Sequence, residues 1–182
     1  MRNGIVIAGF AGVGKTTLAK KYENVIDIES SQYKYDYSST IINDIERVKG
    51  DKNRIVNKDF PLNYINAIKN VMKNYDIVLV WIHPEEALPY YDQYGIDYYL
   101  CFPSKDALSE YENRFIKRGN TKEYIDRVIG SYDKRYDQFI NNKHKKIELS
   151  KGETLEDALL KMNIRLINKS DKYLNARRYE NE

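Results

Sequence analysis

The sequence predicts an α/β fold built on a parallel sheet, and three observations lead there. Short apolar runs alternate with segments of helical periodicity, the pattern of strands joined by crossover helices. One run, Ile77 to Ile82, is apolar without interruption, as a central strand buried on both faces requires. Near the start, the strand-like run Ile5-Val6-Ile7-Ala8 passes through a glycine-rich turn directly into a helical segment. With 182 residues, no internal repeat and no linker, residues 1–182 read as a single domain, large enough for a sheet covered on both faces.

The elements follow in order. Strand one is expected over Gly4 to Ala8, a first helix over Lys15 to Tyr22, and strand two over Val25 to Ile28. The polar stretch Glu29 to Phe60 carries one helical pattern, Thr40 to Val48, and a turn at Lys49-Gly50-Asp51. Pro61 to Asn74 reads as a helix with Leu62, Ile65, Ile68 and Met72 on its apolar side. After strand three, Ile77 to Ile82, a helix is expected over Pro84 to Tyr94, because proline and acids favour a first turn. Strand four is Tyr98 to Phe102. Ser104 is placed to cap a helix reaching Lys117 or Arg118 and stopped by Gly119, and a second helix covers Thr121 to Phe139. Lys146 to Leu149 forms a short fifth strand. Thr154 to Leu166 closes the chain as an amphipathic helix on Leu155, Ala158, Leu159 and Met162, and residues 168–182 form a polar tail.

The turn after strand one reads Gly9-Phe10-Ala11-Gly12-Val13-Gly14-Lys15-Thr16, the pattern G-x-x-x-x-G-K-T of a phosphate-binding P-loop. Its glycines permit backbone angles and close approach that a Cβ would forbid, so successive N–H groups can surround a polyphosphate. The helix that follows points its positive end at the same anion. The expected ligand is ATP with Mg²⁺, held by Gly9, Gly12, Val13, Gly14, Lys15, Thr16 and Thr17. Lys15 is expected to reach the β- and γ-phosphates, and the Thr16 hydroxyl to ligate the metal.

Composition narrows the remaining classes. Thirty basic side chains against twenty-seven acidic ones leave a net charge of +3, which argues against stable nucleic-acid or membrane binding by charge alone. The single cysteine, Cys101, excludes an internal disulfide and sits in an apolar run, as a buried core thiol does. No signal-peptide pattern and no stretch of membrane-spanning length is found, so a cytoplasmic protein is expected. The seventeen tyrosines read as half-buried packing residues, some of them able to stack on a base.

Phosphoryl transfer needs a second carboxylate near the metal, an acceptor site and cations for the transition state. Asp27 and Glu29 close strand two as Asp-Ile-Glu, and alternation along a strand points both carboxylates the same way, at the end of the sheet where ligands bind. One could hold a metal-bound water and the other bind or deprotonate the acceptor; a solvated strand end would look the same. No acid follows strand three, and Asp76 lies at its wrong end, so either Asp27 takes the metal role or Glu85 does. His83 follows strand three and could line the site. Arg114 and Arg118, four apart before Gly119, share a helix face and suit a lid that folds over the phosphates, although cations also favour any helix C-terminus. Arg127 and Arg135 could supplement them, and Arg47 and Arg54 could bind an acceptor phosphate.

The stretches Gly4 to Ser31, Asn57 to Tyr64, Phe102 to Lys105, Glu110 to Arg114 and Arg118 to Asn120 together resemble small P-loop nucleotide kinases of bacteriophages and their bacterial hosts. The likeness spans roughly residues 4 to 165 and extends to the nucleoside monophosphate kinase superfamily. It implies a P-loop NTPase three-layer αβα fold with a five-stranded parallel sheet in the order 2-3-1-4-5. It also implies an acceptor region at about 29–60, a helical arginine lid at about 104–140 and, for a phage-encoded chain, the host cytoplasm. The Asp-Ile-Glu element is similar to the Asp-x-Asp of such kinases, with Glu29 in place of the second acid. The chain departs from the pattern in its short first helix and in lacking the Asp-Gly-x-Pro-Arg acceptor signature.

The expected activity is therefore ATP- and Mg²⁺-dependent phosphorylation of a nucleotide, a (deoxy)nucleoside monophosphate first among candidates. The catalytic set is Lys15, Asp27, Glu29, Arg114 and Arg118; the acceptor set is Glu29, Arg47, Arg54 and His83; the metal set is Thr16 and Asp27. A kinase of a nucleoside, small metabolite or polynucleotide 5′-hydroxyl would use the same donor site and make a carboxylate base essential. A nucleotide-binding regulator with little turnover is the third reading. Monomer and homodimer both stay open.

Overall fold

The computed structural model of the chain describes residues 4–36 and 54–169. The expected helix Thr40 to Val48, the turn at Lys49-Gly50-Asp51, Arg47 and the tail beyond Lys169 lie outside the described residues.

Five parallel strands form one sheet in the order β2-β3-β1-β4-β5. These are β1 (Ile5–Gly9), β2 (Val25–Asp27), β3 (Ile77–Trp81), β4 (Tyr98–Pro103) and β5 (Lys145–Leu149). β1 is central: Val6 pairs with Val78 of β3 on one side and with Tyr98 of β4 on the other. Ile7, Val78, Leu79, Val80 and Leu100 are completely buried, as expected of strands covered on both faces. Helical segments link the strands: α1 (Lys15–Lys21), α2 (Ser31–Lys34), α3 (Leu62–Val71), α4 (Leu88–Gln93), α5 (Leu108–Lys117), α6 (Lys122–Gly130), α7 (Tyr132–Ile140) and α8 (Leu155–Lys161). Among the described residues, no helix is long and apolar enough to cross a membrane. Cys101 is buried in β4, where burial pushes its thiol up to about 12 and leaves it unreactive.

Several helices differ from the periodic reading. On α3 the buried residues are Tyr64, Ile65 and Ile68, while Leu62 is 48% exposed. The expected helix over Pro84 to Tyr94 is only α4, because Pro89 inside such a helix would remove a donor and clash with the preceding turn. Pro84-Glu85-Glu86 instead forms a turn in which the Glu86 N–H donates to His83 Nδ1 at 3.2 Å. Ser104 leads into a short 3₁₀ turn (Lys105–Ala107), and its hydroxyl donates to Asp106 and to the Leu149 carbonyl rather than capping a helix.

α5 does end where expected. Gly119 has φ 72°, the Asn120 N–H bonds the Phe115 carbonyl at 3.1 Å and the Gly119 N–H the Ile116 carbonyl at 2.9 Å, a Schellman stop. The single helix expected from Thr121 to Phe139 is two helices, α6 and α7, divided at Ser131, whose hydroxyl donates to the Arg127 carbonyl at 2.6 Å. α8 opens with a Thr154–Asp157 capping box and stops at Lys161 rather than Leu166, because Asn163 (φ 56°) takes the left-handed position of a second Schellman stop.

Candidate functional site

β1 delivers the chain into a tight loop at the carboxyl end of the sheet. The Phe10 N–H donates to the Cys101 carbonyl at 2.8 Å, which ties the loop to β4. Gly12 (φ 85°) and Gly14 (φ 103°) occupy the left-handed region. A Cβ on Gly12 would also stand 3.1 Å from the Tyr111 ring and 3.2 Å from Phe115, so this glycine is required twice over. Among the described residues, the N–H groups of Gly12, Gly14, Lys15, Thr16 and Thr17 find no acceptor, leaving a cluster of backbone donors with nothing to bond. Lys15 folds back beneath the loop, donating to the Gly9 carbonyl at 2.7 Å and the Phe10 carbonyl at 3.2 Å. Burial lowers its pKa, only partly offset by the negative charges of Asp27 and Glu29.

At the end of β2, the Thr16 hydroxyl donates to Asp27 Oδ2 at 2.7 Å. Asp27 Oδ1 is buried with no partner among the described residues. Burial raises the Asp27 pKa against the opposing pull of Thr16 and Lys15. A buried carboxylate oxygen beside a hydroxyl, short of a positive partner, fits a hard divalent cation. Among the described residues no cluster of three His, Cys, Asp or Glu side chains could hold a metal. Magnesium at Thr16 and Asp27 would draw its other ligands from phosphate and water, as this ion commonly does.

Thr16, Asp27 and Lys15 open onto a cavity of about 640 Å³, within the range of small-molecule sites. Its far side is aromatic and charged. Lys34 pairs with the Glu86 carboxylate and lies 5.2 Å from the centre of the Trp81 ring. Burial disfavours ionised Glu86, but the Lys34 bond and charge outweigh it and hold the carboxyl below its usual range. The Asp36 N–H donates to the Ile55 carbonyl and the Asn57 N–H to the Lys34 carbonyl, both at 2.9 Å. This pairing sets the Arg54 guanidinium 3.8 Å over the Tyr35 ring. His83 leans on Trp81 (ring centres 5.1 Å apart), and burial lowers its pKa. Since His83 Nδ1 accepts from Glu86, its Nε2 is left as the donor of the neutral ring.

Arginines form a third wall. Arg118 from the end of α5, Arg127 from α6 and Arg135 from α7 all line the cavity. Burial and then the charge of Arg127 lower the pKa of Arg135, against the opposing pull of Glu85 and Glu86. Arg114 does not line the cavity. It lies over the Tyr111 ring and donates to the Gly12 carbonyl at 3.1 Å, bracing the loop from outside.

Of the residues expected from sequence, the cavity gathers Gly12, Gly14, Lys15, Thr16, Thr17, Asp27, Glu29, Arg54, His83 and Arg118, together with the supplementary Arg127 and Arg135. Gly9 and Val13 lie beneath the loop in the core, Arg114 stands behind it, and Arg47 is outside the described residues. Glu85, the alternative metal acid, does not line the cavity and pairs with Lys134 at 3.4 Å. Asp76 accepts from Asn24 at 3.0 Å, at the opposite end of β3. Sequence reasoning passed over Lys34, Tyr35, Trp81, Glu86 and Tyr124, all of which line the cavity. Trp81 had a usable signal, its place at the carboxyl end of a central strand. No known protein-family model matches the chain, and comparison with curated proteins finds no relative.

Proposed function

We propose that the protein is a P-loop phosphotransferase that uses ATP and Mg²⁺ to phosphorylate a nucleotide, a (deoxy)nucleoside monophosphate. The observation that carries this reading is that one cavity is lined both by the glycine loop with Lys15 and by the three guanidinium side chains Arg118, Arg127 and Arg135. Hydrolysis would need only the loop and a water. A cavity with a second, aromatic and cationic end around Arg54, Trp81 and His83 has room for an acceptor that carries both a base and a phosphate.

The chain's residues then divide the work. The loop N–H groups and Lys15 bind the β- and γ-phosphates, Lys15 exchanging its carbonyl partners for phosphate oxygens. Thr16 and Asp27 would hold a magnesium ion, which would supply positive charge against the developing phosphate charge. Arg54 meets the acceptor phosphate, and Trp81 and Tyr35 offer faces for its base. An acceptor oxygen forms a bond to the γ-phosphorus as the bond to the ADP oxygen breaks, while Arg118, Arg127 and Arg135 bear the charge spread over the transferring group. Arg114 serves by fixing the loop. The segment α5–α7 acts as the lid that excludes water.

A second reading has its own observation. Glu29 is exposed within the cavity, and among the described residues its carboxylate takes one weak contact, the Ser31 N–H at 3.5 Å. That leaves it able to act as a base toward a hydroxyl, as a kinase of a nucleoside or polynucleotide end would need. ATP consumption measured across ribo- and deoxynucleoside monophosphates, nucleosides and short DNA ends separates the two. Transfer to a monophosphate that is lost in Lys15→Ala and survives Glu29→Gln is the expected result. Turnover unchanged in Lys15→Ala removes the mechanism, and turnover only on hydroxyl acceptors, lost in Glu29→Gln, establishes the second reading.

A further inference from the structure

We propose that the buried hydroxyl of Tyr64 is a spacer that holds the carboxyl ends of β2 and β3 apart, and so sets the width of the acceptor side of the cavity. The proposal rests on the reading above for the identity of what binds there. In a parallel ladder, a residue whose N–H bonds one carbonyl of the neighbouring strand receives, on its own carbonyl, the N–H two residues further along that strand. Ile28 makes the first half of such a rung, its N–H donating to the Leu79 carbonyl at 2.9 Å. The second half would be Trp81 N–H on the Ile28 carbonyl. Tyr64 stands in that rung instead: the Trp81 N–H donates to its hydroxyl oxygen at 3.0 Å, and the hydroxyl donates to the Ile28 carbonyl at 3.0 Å.

A hydroxyl both gives and accepts, so it lengthens a rung by one atom while leaving neither backbone group unpaired. The strands part at this point. Beyond it, Glu29 and Ser30 leave β2 while Ile82 and His83 leave β3, and all four line the cavity. Tyr64 itself is 1% exposed and is wedged among the rings of Tyr33, Phe60 and Tyr91, with centres 5.4, 6.2 and 6.4 Å away. It does not line the cavity; its hydroxyl bridges the backbone of Ile28 and Trp81 and also contacts the Tyr91 hydroxyl. Burial raises its pKa, which keeps the bridging proton in place at every working pH.

Tyr64→Phe keeps the ring and removes the bridging oxygen, so the strands either close into a direct rung or bury two unpaired groups. The matched control is Tyr91→Phe, which removes a hydroxyl bond to the Trp81 carbonyl (2.8 Å) and the Tyr91 contact with the Tyr64 hydroxyl but keeps both bonds of the bridged rung. Trp81 is the sole tryptophan, so acrylamide quenching reports on this wall alone. In Tyr64→Phe we expect a crystal structure with Trp81 N bonded directly to Ile28 O, weaker quenching, and an acceptor KM raised about three- to tenfold with the ATP KM unchanged. Tyr91→Phe is expected to lose comparable thermal stability without the rise in acceptor KM. A Tyr64→Phe protein with the wild-type strand separation and quenching overturns the proposal, as does an equal KM rise in Tyr91→Phe. Absence of turnover in the wild-type protein defeats the phosphotransferase reading instead, and the strand separation and quenching still decide whether Tyr64 is a spacer.

Discussion

Lys15 is held in a position that suits an anion better than it suits the empty fold. Burial lowers its pKa, so below that lowered value the protonated side chain costs the folded state free energy. The cost fades as pH rises from the lowered value to the ordinary one. Through this group the unliganded protein gains stability toward alkaline pH, and Lys15→Met is expected to raise the Tm at neutral pH and flatten that rise in a thermal-shift series. A bound anion reverses the sign, because it favours the protonated lysine: ATP affinity is expected to fall with rising pH in the same window, and Lys15→Arg to abolish that fall in a fluorescence titration. Asp27 is the counterpart of opposite charge. Its ionised form is disfavoured by burial, which a divalent cation would offset. Asp27→Asn should therefore raise the magnesium concentration needed for half-maximal turnover by about ten- to a hundredfold, without destabilising the unliganded protein in a urea titration.

The elements that carry these residues are set by caps more than by periodicity. The Schellman stop at Gly119 ends α5 so that Arg118 reaches the cavity, and the break at Ser131 turns α7 so that Arg135 joins Arg127 on one wall. Gly119→Ala places a Cβ at φ 72° and is expected to cost about 1 kcal/mol of stability by chemical denaturation. The periodicity of Thr121 to Phe139 could not reveal the break, since Ile125, Val128, Tyr132 and Phe139 are buried on both sides of it. The charge of Arg127 acts against that of Arg135, and an anion bound between them would relieve it. Sulfate is expected to raise the Tm more than chloride at equal ionic strength, and Arg127→Gln with Arg135→Gln together to remove most of that difference.

Across the whole molecule, the end of the sheet away from the cavity is closed by one buried polar residue. The Asn24 side chain donates to Asp76 at 3.0 Å and to the Arg165 carbonyl at 2.9 Å, and accepts from the Ile167 N–H at 3.0 Å. These bonds tie the starts of β2 and β3 to the segment after α8, while Glu156 of α8 itself accepts from Lys21 and Tyr22 at the end of α1 (both 2.7 Å). Asn24→Ala leaves several buried groups unpaired and is expected to cost about 2 to 4 kcal/mol in urea unfolding. Acceptor preference should not change, because the clasp and the cavity lie at opposite ends of the strands.

The sequence alone determined the parallel α/β sheet, an interior strand from Ile77 and the glycine loop leading into Lys15 and Thr16, because these depend on local pattern and short spacing. Tertiary structure decided what that loop faces. Arg127, Arg135, Lys34 and Trp81 come from segments far apart in the chain, and no local periodicity distinguishes a cation aimed into a cavity from one aimed at water. It also decided that Arg114 braces the Gly12 carbonyl while Arg118, one helical turn on, lines the cavity. The rung opened by Tyr64 is of the same kind: a tyrosine on an apolar helix face reads as packing, and only the approach of Ile28 and Trp81 gives its hydroxyl two partners.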